Sequence, residues 1–327
     1  MASTWVYIPL DADYVYWYQA VAQIIDLETH PVGLIFGSGF EHRPHFIEDL
    51  SLLGILLGNT ANNIRLLKDP HYFFSLLQSL HIPAPETQSF PPINPIGWLR
   101  KTIGGTGGQH VLSAMPDQIA SNCYYQRKLE GQLGSVLFLA NGKEAQILGY
   151  NRLELTPIAF APYRYGGISA PLAIDPVTHM LMQSYLTAIT AVTGLLGLNG
   201  LDFIQTPTRE IKVLEINPRP PTSLDLYQDL FNPLDAHIRA CLGVSLPIHV
   251  NPMLFARAFS ILYAPHSLRI PQNVSWPHFC HDYPIGNYSI EQGEPICSVH
   301  AQGISIEHCW QQLQQHQSQV LKLLTAT

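Results

Sequence analysis

LDFIQTPTREIKVLEINPRP, residues 201–220, is the stretch on which the fold turns. Gly200 to Gln205 is a short, mostly apolar run, Thr206-Pro207-Thr208-Arg209 supplies turn chemistry, and Ile211 to Ile216 is apolar again, a pattern that predicts a β-hairpin. Antiparallel pairing brings Asp202 of the first strand towards Glu215 and Asn217 at the end of the second. Glu215 and Asn217 are two residues apart, so on a regular strand both leave the same face. Two carboxylates and an amide oxygen form a hard donor set suited to Mg²⁺ (or Mn²⁺), an ion usually held by one or two carboxylates together with substrate phosphates. Polar residues also end strands before proline turns for no further reason, so the rest of the chain has to decide.

The 327 residues are long for one core and predict several units. Hydrophobic residues make up 46% and charged residues 13%, the balance of an ordered globular chain. A net charge of −7 gives no reason to expect nucleic acid or an anionic membrane as partner. MASTWVYIPLDADY has neither a basic nor a long apolar segment, so no signal peptide is expected, and the apolar run Leu50 to Leu57 is too short for a membrane span. Five scattered cysteines fit a reducing, cytoplasmic compartment. His278, Cys280 and His281 lack a second pair at zinc-like spacing.

Residues 1–85 predict an α/β unit: a strand over Val6 to Leu10, a helix over Tyr14 to Leu27, a strand over Val32 to Phe36 ending in Gly37-Ser38-Gly39, and helical spacing over 46–57 and 64–80. Gly37-Ser38-Gly39 lacks the third glycine of a dinucleotide fingerprint. His81-Ile82-Pro83-Ala84-Pro85 reads as a linker. Residues 86–155 then predict a small antiparallel lobe, with strands at 96–102, 123–129, 135–140 and 145–153. Residues 156–248 hold a helix over Pro176 to Leu196 ending at Gly197, the Asp202 hairpin and a helix over 234–242, while 249–327 predict short strands and a closing helix over 306–324. The fold class is α/β, with α+β character in the later lobes.

Lys101 ends a strand just before Gly104-Gly105-Thr106-Gly107-Gly108. Glycines let backbone N–H groups approach an anion and the lysine adds a mobile charge, so the pair suits phosphate, although such a loop can also be a plain hairpin tip. No Gly-Lys-Ser/Thr follows, which excludes a P-loop. The strand around Gln126-Arg127-Lys128-Leu129 has the polar-apolar edge that could pack and hydrogen-bond a purine.

These elements in this order resemble the ATP-grasp superfamily of ligases, most closely its uncharacterised carboligase-like members related to biotin carboxylase and more distantly the tyramine–glutamate ligases of methanofuran synthesis. The resemblance implies an N-terminal Rossmann-like domain, a lid lobe, a central lobe and a small β-rich C-terminal tail. It implies that Lys101, Gly104, Gly105, Gly107 and Gly108 meet the phosphates of ATP, and that Gln126, Arg127, Lys128 and Leu129 form the adenine hinge, with Gln132 where a ribose-binding glutamate usually stands. Asp202, Glu215 and Asn217 correspond to the magnesium ligands, and Arg219 and Lys101 to the catalytic cations. Two departures stand out: the family's phosphate lysine before the helix is Pro70 here, and the ribose glutamate is replaced by Gln132 and Leu133. Lys68, two residues from Pro70, is the candidate substitute, although on a continuous helix it would point elsewhere.

The implied reaction is ATP-dependent joining of a small-molecule carboxylate to an amine through an acyl-phosphate, in cofactor or peptide biosynthesis. The alternatives are bicarbonate-dependent carboligation through carboxyphosphate and a non-catalytic nucleotide-binding scaffold. Arg164, in Tyr163-Arg164-Tyr165-Gly166-Gly167, is a candidate carboxylate clamp or else an exposed loop arginine. A homodimer is compatible with the resemblance.

Overall fold

Proline sets the first element boundaries by removing a backbone donor and restricting its neighbour. In the computed structural model, which describes residues 6, 8, 13–27, 31–116, 121–244, 246–284 and 286–325, α1 spans Tyr14–Leu27 and α2 Pro44–Leu50. The helical stretch expected over 64–80 is two helices, α3 Ala61–Lys68 and α4 Pro70–Ser79. Asp69 is extended between them and caps α4, its carboxylate accepting from the His71 N–H at 2.9 Å. Lys68 is therefore the last residue of a helix and not two residues along a continuous one.

The expected strand over 32–36 is reduced to a single parallel bridge between Leu34 and Leu56. Leu34 N donates to Ile55 O and Leu57 N to Leu34 O, both at 2.8 Å, which draws 55–57 out of the helix expected over 46–57. Gly33 permits this approach, since a Cβ there would lie 2.6 Å from Ile55 O. The strand expected over 6–10 falls mostly outside the described residues; Val6 and Ile8 are in neither helix nor strand.

Two sheets follow. The smaller contains β1 (Thr87–Gln88), β2 (Trp98–Thr102), β3 (Val111–Ser113) and β4 (Cys123–Arg127) in the order β1-β4-β2-β3. The next strands, β5 (Gln132–Asn141), β6 (Ala145–Leu155) and β7 (Tyr165–Ala170), lead to α5 (Pro176–Thr193), β8 (Leu196–Gln205), β9 (Ile211–Asn217) and, after a 3₁₀ turn at Thr222–Leu226, α6 (Pro233–Cys241). The C-terminal part adds β10 (Ala256–Tyr263), β11 (Leu268–Ile270), β12 (Cys280–His281), β13 (Tyr288–Ile290), β14 (Pro295–Gly303) and α7 (Ile306–Thr325). The larger sheet runs β12-β14-β10-β7-β6-β5-β8-β9, and β11 pairs with β13 alone. Residues 132–155, grouped by sequence with the lid, hydrogen-bond into the eight-stranded sheet, so the small sheet closes at Arg127; β10, β12 and β14 likewise extend the larger sheet. The α5 helix ends at Gly194, in the left-handed conformation, and not at Gly197.

The larger sheet is apolar on both faces. Along β5, Val136, Phe138 and Ala140 join α4 and α5 in one core, while Leu137 and Leu139 join Leu226, Tyr227 and α6 in another. Alternation along a strand buried on both sides gives a continuous apolar run, which is what 136–140 shows. A third core lies between β10, β14 and α7. No described helix is long and apolar enough to cross a membrane.

A buried polar seam fastens the N-terminal residues to the larger sheet. Asn59 Nδ2 contacts Asn199 Oδ1 (2.8 Å), Pro218 O (3.0 Å) and Leu196 O (3.2 Å), and its Oδ1 accepts from Leu196 N (2.9 Å). His237 Nδ1 accepts from Leu198 N and its Nε2 lies 2.9 Å from Leu57 O, so the neutral Nε2–H tautomer satisfies both partners. Burial holds its pKa below the ordinary value, with the Leu57 carbonyl opposing. A depressed histidine stabilises the fold above the unfolded pKa, about 6.5, and that contribution is lost as pH falls through the folded value. Urea unfolding should therefore show stability dropping between about pH 7 and pH 5, and a smaller drop in His237→Gln; equal pH slopes in the two proteins would remove His237 as the cause.

Candidate active site

The metal-type triad forms because of a bulge. Asp202 lies opposite Glu215 and Gly200 opposite Asn217, but Phe203 pairs with Val213, leaving Leu214 as the extra residue. Val213 and Glu215 are two apart yet face opposite sides: Val213 enters the core with Phe203 and Ile216, and Glu215 enters the cleft with Asp202. Asn217 follows on the cleft side, its Nδ2 lying 3.3 Å from Asp202 Oδ2. Burial and the facing Glu215 push Asp202 well above the usual carboxylate range. Burial acts on Glu215 as well, but Lys68, a hydrogen bond with Asp202 and Lys101 together bring it below that range.

Lys68 was expected to point away from this site. It points into it: Nζ donates to Asn217 Oδ1 at 2.8 Å and stands 3.7 Å from Glu215 Oε2, with only 11% of its side chain exposed. The Asp69-Pro70 break between α3 and α4 removes the helical geometry on which that expectation rested. The sequence signal was available in Lys68-Asp69-Pro70, where a capping residue and a proline announce a new helix.

Lys101, on β2 opposite Tyr124 of β4, approaches from the small sheet. Its Nζ donates to Gln126 Oε1 at 2.7 Å, and Gln126 Nε2 reaches Thr87 Oγ1 at 3.2 Å. Burial lowers the Lys101 pKa, against the pull of Glu215 and Asp202. Gln126 is 1% exposed and its side-chain oxygen accepts from Lys101. The Arg127 guanidinium lies over the Trp98 ring and donates to Ile96 O. Lys128 is exposed and its N–H is held by Gly97 O, Leu129 is half-buried, and Gln132 opens β5 opposite Gln205.

The glycine loop is docked. Tyr165 N donates to Gly107 O at 2.9 Å, and a Cβ on Gly108, whose φ is +72°, would stand 1.8 Å from Tyr163 O. Gly104 packs beside His42, and Gly105 underlies the His110 imidazole. Nδ1 of His110 lies 3.3 Å from Thr106 O.

Arg219 leaves the cleft floor for the N-terminal side. Its Nε donates to Glu41 Oε1 at 2.5 Å and its Nη1 to Pro220 O at 3.3 Å. Glu41 is 5% exposed and also accepts from Gly39 N at 2.8 Å, which gives the Gly37-Ser38-Gly39 turn a purpose the sequence did not reveal. Burial opposes ionisation of Glu41, but Arg219 holds its pKa below the usual value. Arg164 is neither clamp nor exposed: it is 4% exposed, donates to Thr156 O and Gly293 O, and lies 3.7 Å from the Tyr263 ring centre. Among the described residues no cluster of three histidine, cysteine, aspartate or glutamate side chains is arranged for a metal.

Residues 69–223 match the family model of the ATP-grasp domain. That part of the chain carries an ATP-grasp domain, and the fold is one that biotin carboxylases share. No curated protein matches it in sequence. Among solved structures it is similar to the biotin carboxylase domain dimer of Hydrogenobacter thermophilus 2-oxoglutarate carboxylase, in complex with MgADP, ADP and bicarbonate (TM-score 0.72, 13% identity, 94% of this chain and 78% of that one). It is likewise similar to the L-amino acid ligase of Bacillus licheniformis (0.70, 12%, 95% and 85%) and to N5-carboxyaminoimidazole ribonucleotide synthetase of Thermotoga maritima (0.64, 16%, 93% and 84%).

Docking of the loop depends on the missing Cβ at Gly108. Limited proteolysis should cut Gly108→Ala within residues 104–110 several-fold faster than the parent, with little change in melting temperature; equal cleavage rates would show that the loop does not depend on this contact.

Proposed function

We propose that this protein is an ATP-dependent carboxylate–amine ligase. The observation that carries the reading is the meeting of Asp202, Glu215 and Asn217 with Lys68 and Lys101 in one cleft under a docked glycine loop. Two carboxylates and an amide oxygen, without thiol or imidazole, fit Mg²⁺ or Mn²⁺. Such an ion would neutralise phosphate oxygens during transfer.

Phosphoryl transfer asks the protein mainly for positioning and charge stabilisation. Lys101, held by Gln126, and Lys68 supply cations on two sides of the cleft, and Gly104, Gly105, Gly107 and Gly108 supply close backbone. Arg219, paired with Glu41 and Pro220 O beside the cleft, would have to exchange those partners to reach an acyl-phosphate. A substrate carboxylate oxygen attacks the terminal phosphorus and the bond to ADP breaks. The amine nitrogen then attacks the acyl carbon, the carbon–oxygen bond to phosphate breaks, and the departing phosphate takes up the amine proton. An acyl-phosphate hydrolyses in water, so the loop docked on Tyr163 and Tyr165 serves to exclude it. Lys68 supplies a cation where Pro70 removes one, which favours catalysis over a non-catalytic scaffold. The adenine edge falls to Lys128 and Leu129, and Gln132 stands near the ribose side.

The fold shared with an amino acid ligase supports small acids and amines as substrates, in cofactor or peptide biosynthesis. Five cysteines outside any disulfide suit a reducing cytoplasm, and a homodimer is the assembly this reading carries.

ADP release with Mg-ATP should be stimulated by one acid–amine pair from a panel of amino acids, polyamines, glutamyl peptides and tyramine. Stimulation by bicarbonate alone would replace the ligase with a carboligase. Glu215→Ala and Asn217→Ala should each lower turnover by roughly 10²–10³-fold or more with the fold retained; full activity in either would sink the assignment.

A further inference from the structure

The ammonium of Lys68 lies where a cation would meet the triad. Its Nζ donates to Asn217 Oδ1 at 2.8 Å, the one amide oxygen in the donor set, and stands 3.7 Å from Glu215 Oε2. The side chain is held there by the fold: α3 packs beside β9, Lys68 is the last residue of α3, and Asp69 and Pro70 begin the next helix. Two charged groups of one sign compete for one set of oxygens, because each weakens the field that attracts the other. The same ammonium, once displaced, is within reach of whatever the metal brings, since α3 does not have to move for a four-carbon stem to swing.

We propose that Lys68 is a built-in competitor of the divalent cation at Glu215 and Asn217. The triad then accepts the metal poorly alone and well as its nucleotide complex, because the phosphates give the displaced ammonium a new partner. Lys68 is thereby a positioning residue that couples metal loading to nucleotide loading. The proposal rests on the metal-site reading above and goes beyond it: that reading requires a cation at the triad, and this one concerns what the cation must displace. The other titratable groups facing the pair are Asp202 on β8, Lys101 on β2 and His110 at the end of the glycine loop, with Glu41 and Arg219 forming their own ion pair beside it.

Mn²⁺ binding to the full chain, followed by electron paramagnetic resonance without nucleotide and again with ADP, tests this. Lys68→Met keeps the length and removes the charge, and should bind Mn²⁺ alone at least about tenfold more tightly than the parent. The gain on adding ADP, large in the parent, should shrink in the same variant, and Lys68→Arg should behave like the parent. Glu215→Gln serves as the control for the site itself. If Glu215→Gln loses Mn²⁺ while Lys68→Met binds it no better than the parent, the competition is overturned and the metal site stands. If Glu215→Gln and the parent bind Mn²⁺ equally, or neither binds it with or without ADP, both readings fall. Near-ultraviolet circular dichroism of each variant establishes that the fold is retained.

Discussion

Two carboxylates, Asp202 and Glu215, face each other across the β8–β9 ladder, and like charges so placed cannot both persist without a cation or a proton between them. Much of the cleft answers that constraint. Lys68 arrives from the end of α3, Lys101 from β2 and His110, whose pKa burial lowers, from the loop between β2 and β3. None of these groups is adjacent to the hairpin in sequence. The site is complete only when the N-terminal helices, the small sheet and the larger sheet are assembled.

The contacts that hold those parts together are polar and buried. Asn59 binds Leu196, Asn199 and Pro218, His237 bridges Leu57 and Leu198, and Glu41 takes Arg219. Removing one partner of a buried ion pair costs on the order of 3–5 kcal/mol because the other charge is stranded, whereas an apolar replacement of both is often neutral. Such groups therefore contribute direction more than cohesion. They tie Pro218 and Arg219, which follow Asn217 at the end of β9, to the N-terminal residues.

The hairpin and its chemistry were legible because the alternation of apolar residues, the turn residues and the Glu-x-Asn spacing are all local. The α1 and α5 starts and the C-terminal helix were legible for the same reason. The bulge at Leu214 was not: nothing in IKVLEIN says that Val213 and Glu215 part company, since the extra residue is defined by its partner strand. Lys68 was misread because a helical period was continued through Asp69-Pro70. Glu41 and the support that Gln126 gives Lys101 depend on contacts across more than twenty residues, which spacing alone does not encode. The strand expected over 32–36 fails for a related reason: Leu34 and Leu56 find each other for one bridge only, and a strand needs a ladder.

The charges in the cleft show why the arrangement is poised. Asp202 and Glu215 are balanced by Lys68 and Lys101, while Arg219 and Glu41 cancel each other to one side. A divalent cation taken up by the two carboxylates makes both lysines surplus at that point, and surplus ammonium in a partly buried cleft is unfavourable unless an anion arrives with it. A triphosphate is such an anion. The same buried lysine whose pKa is lowered by desolvation regains a reason to stay charged when phosphate replaces carboxylate as its neighbour. Electrostatic balance thus favours the cation and the nucleotide arriving together, and it does so through residues that the metal itself never needs to touch.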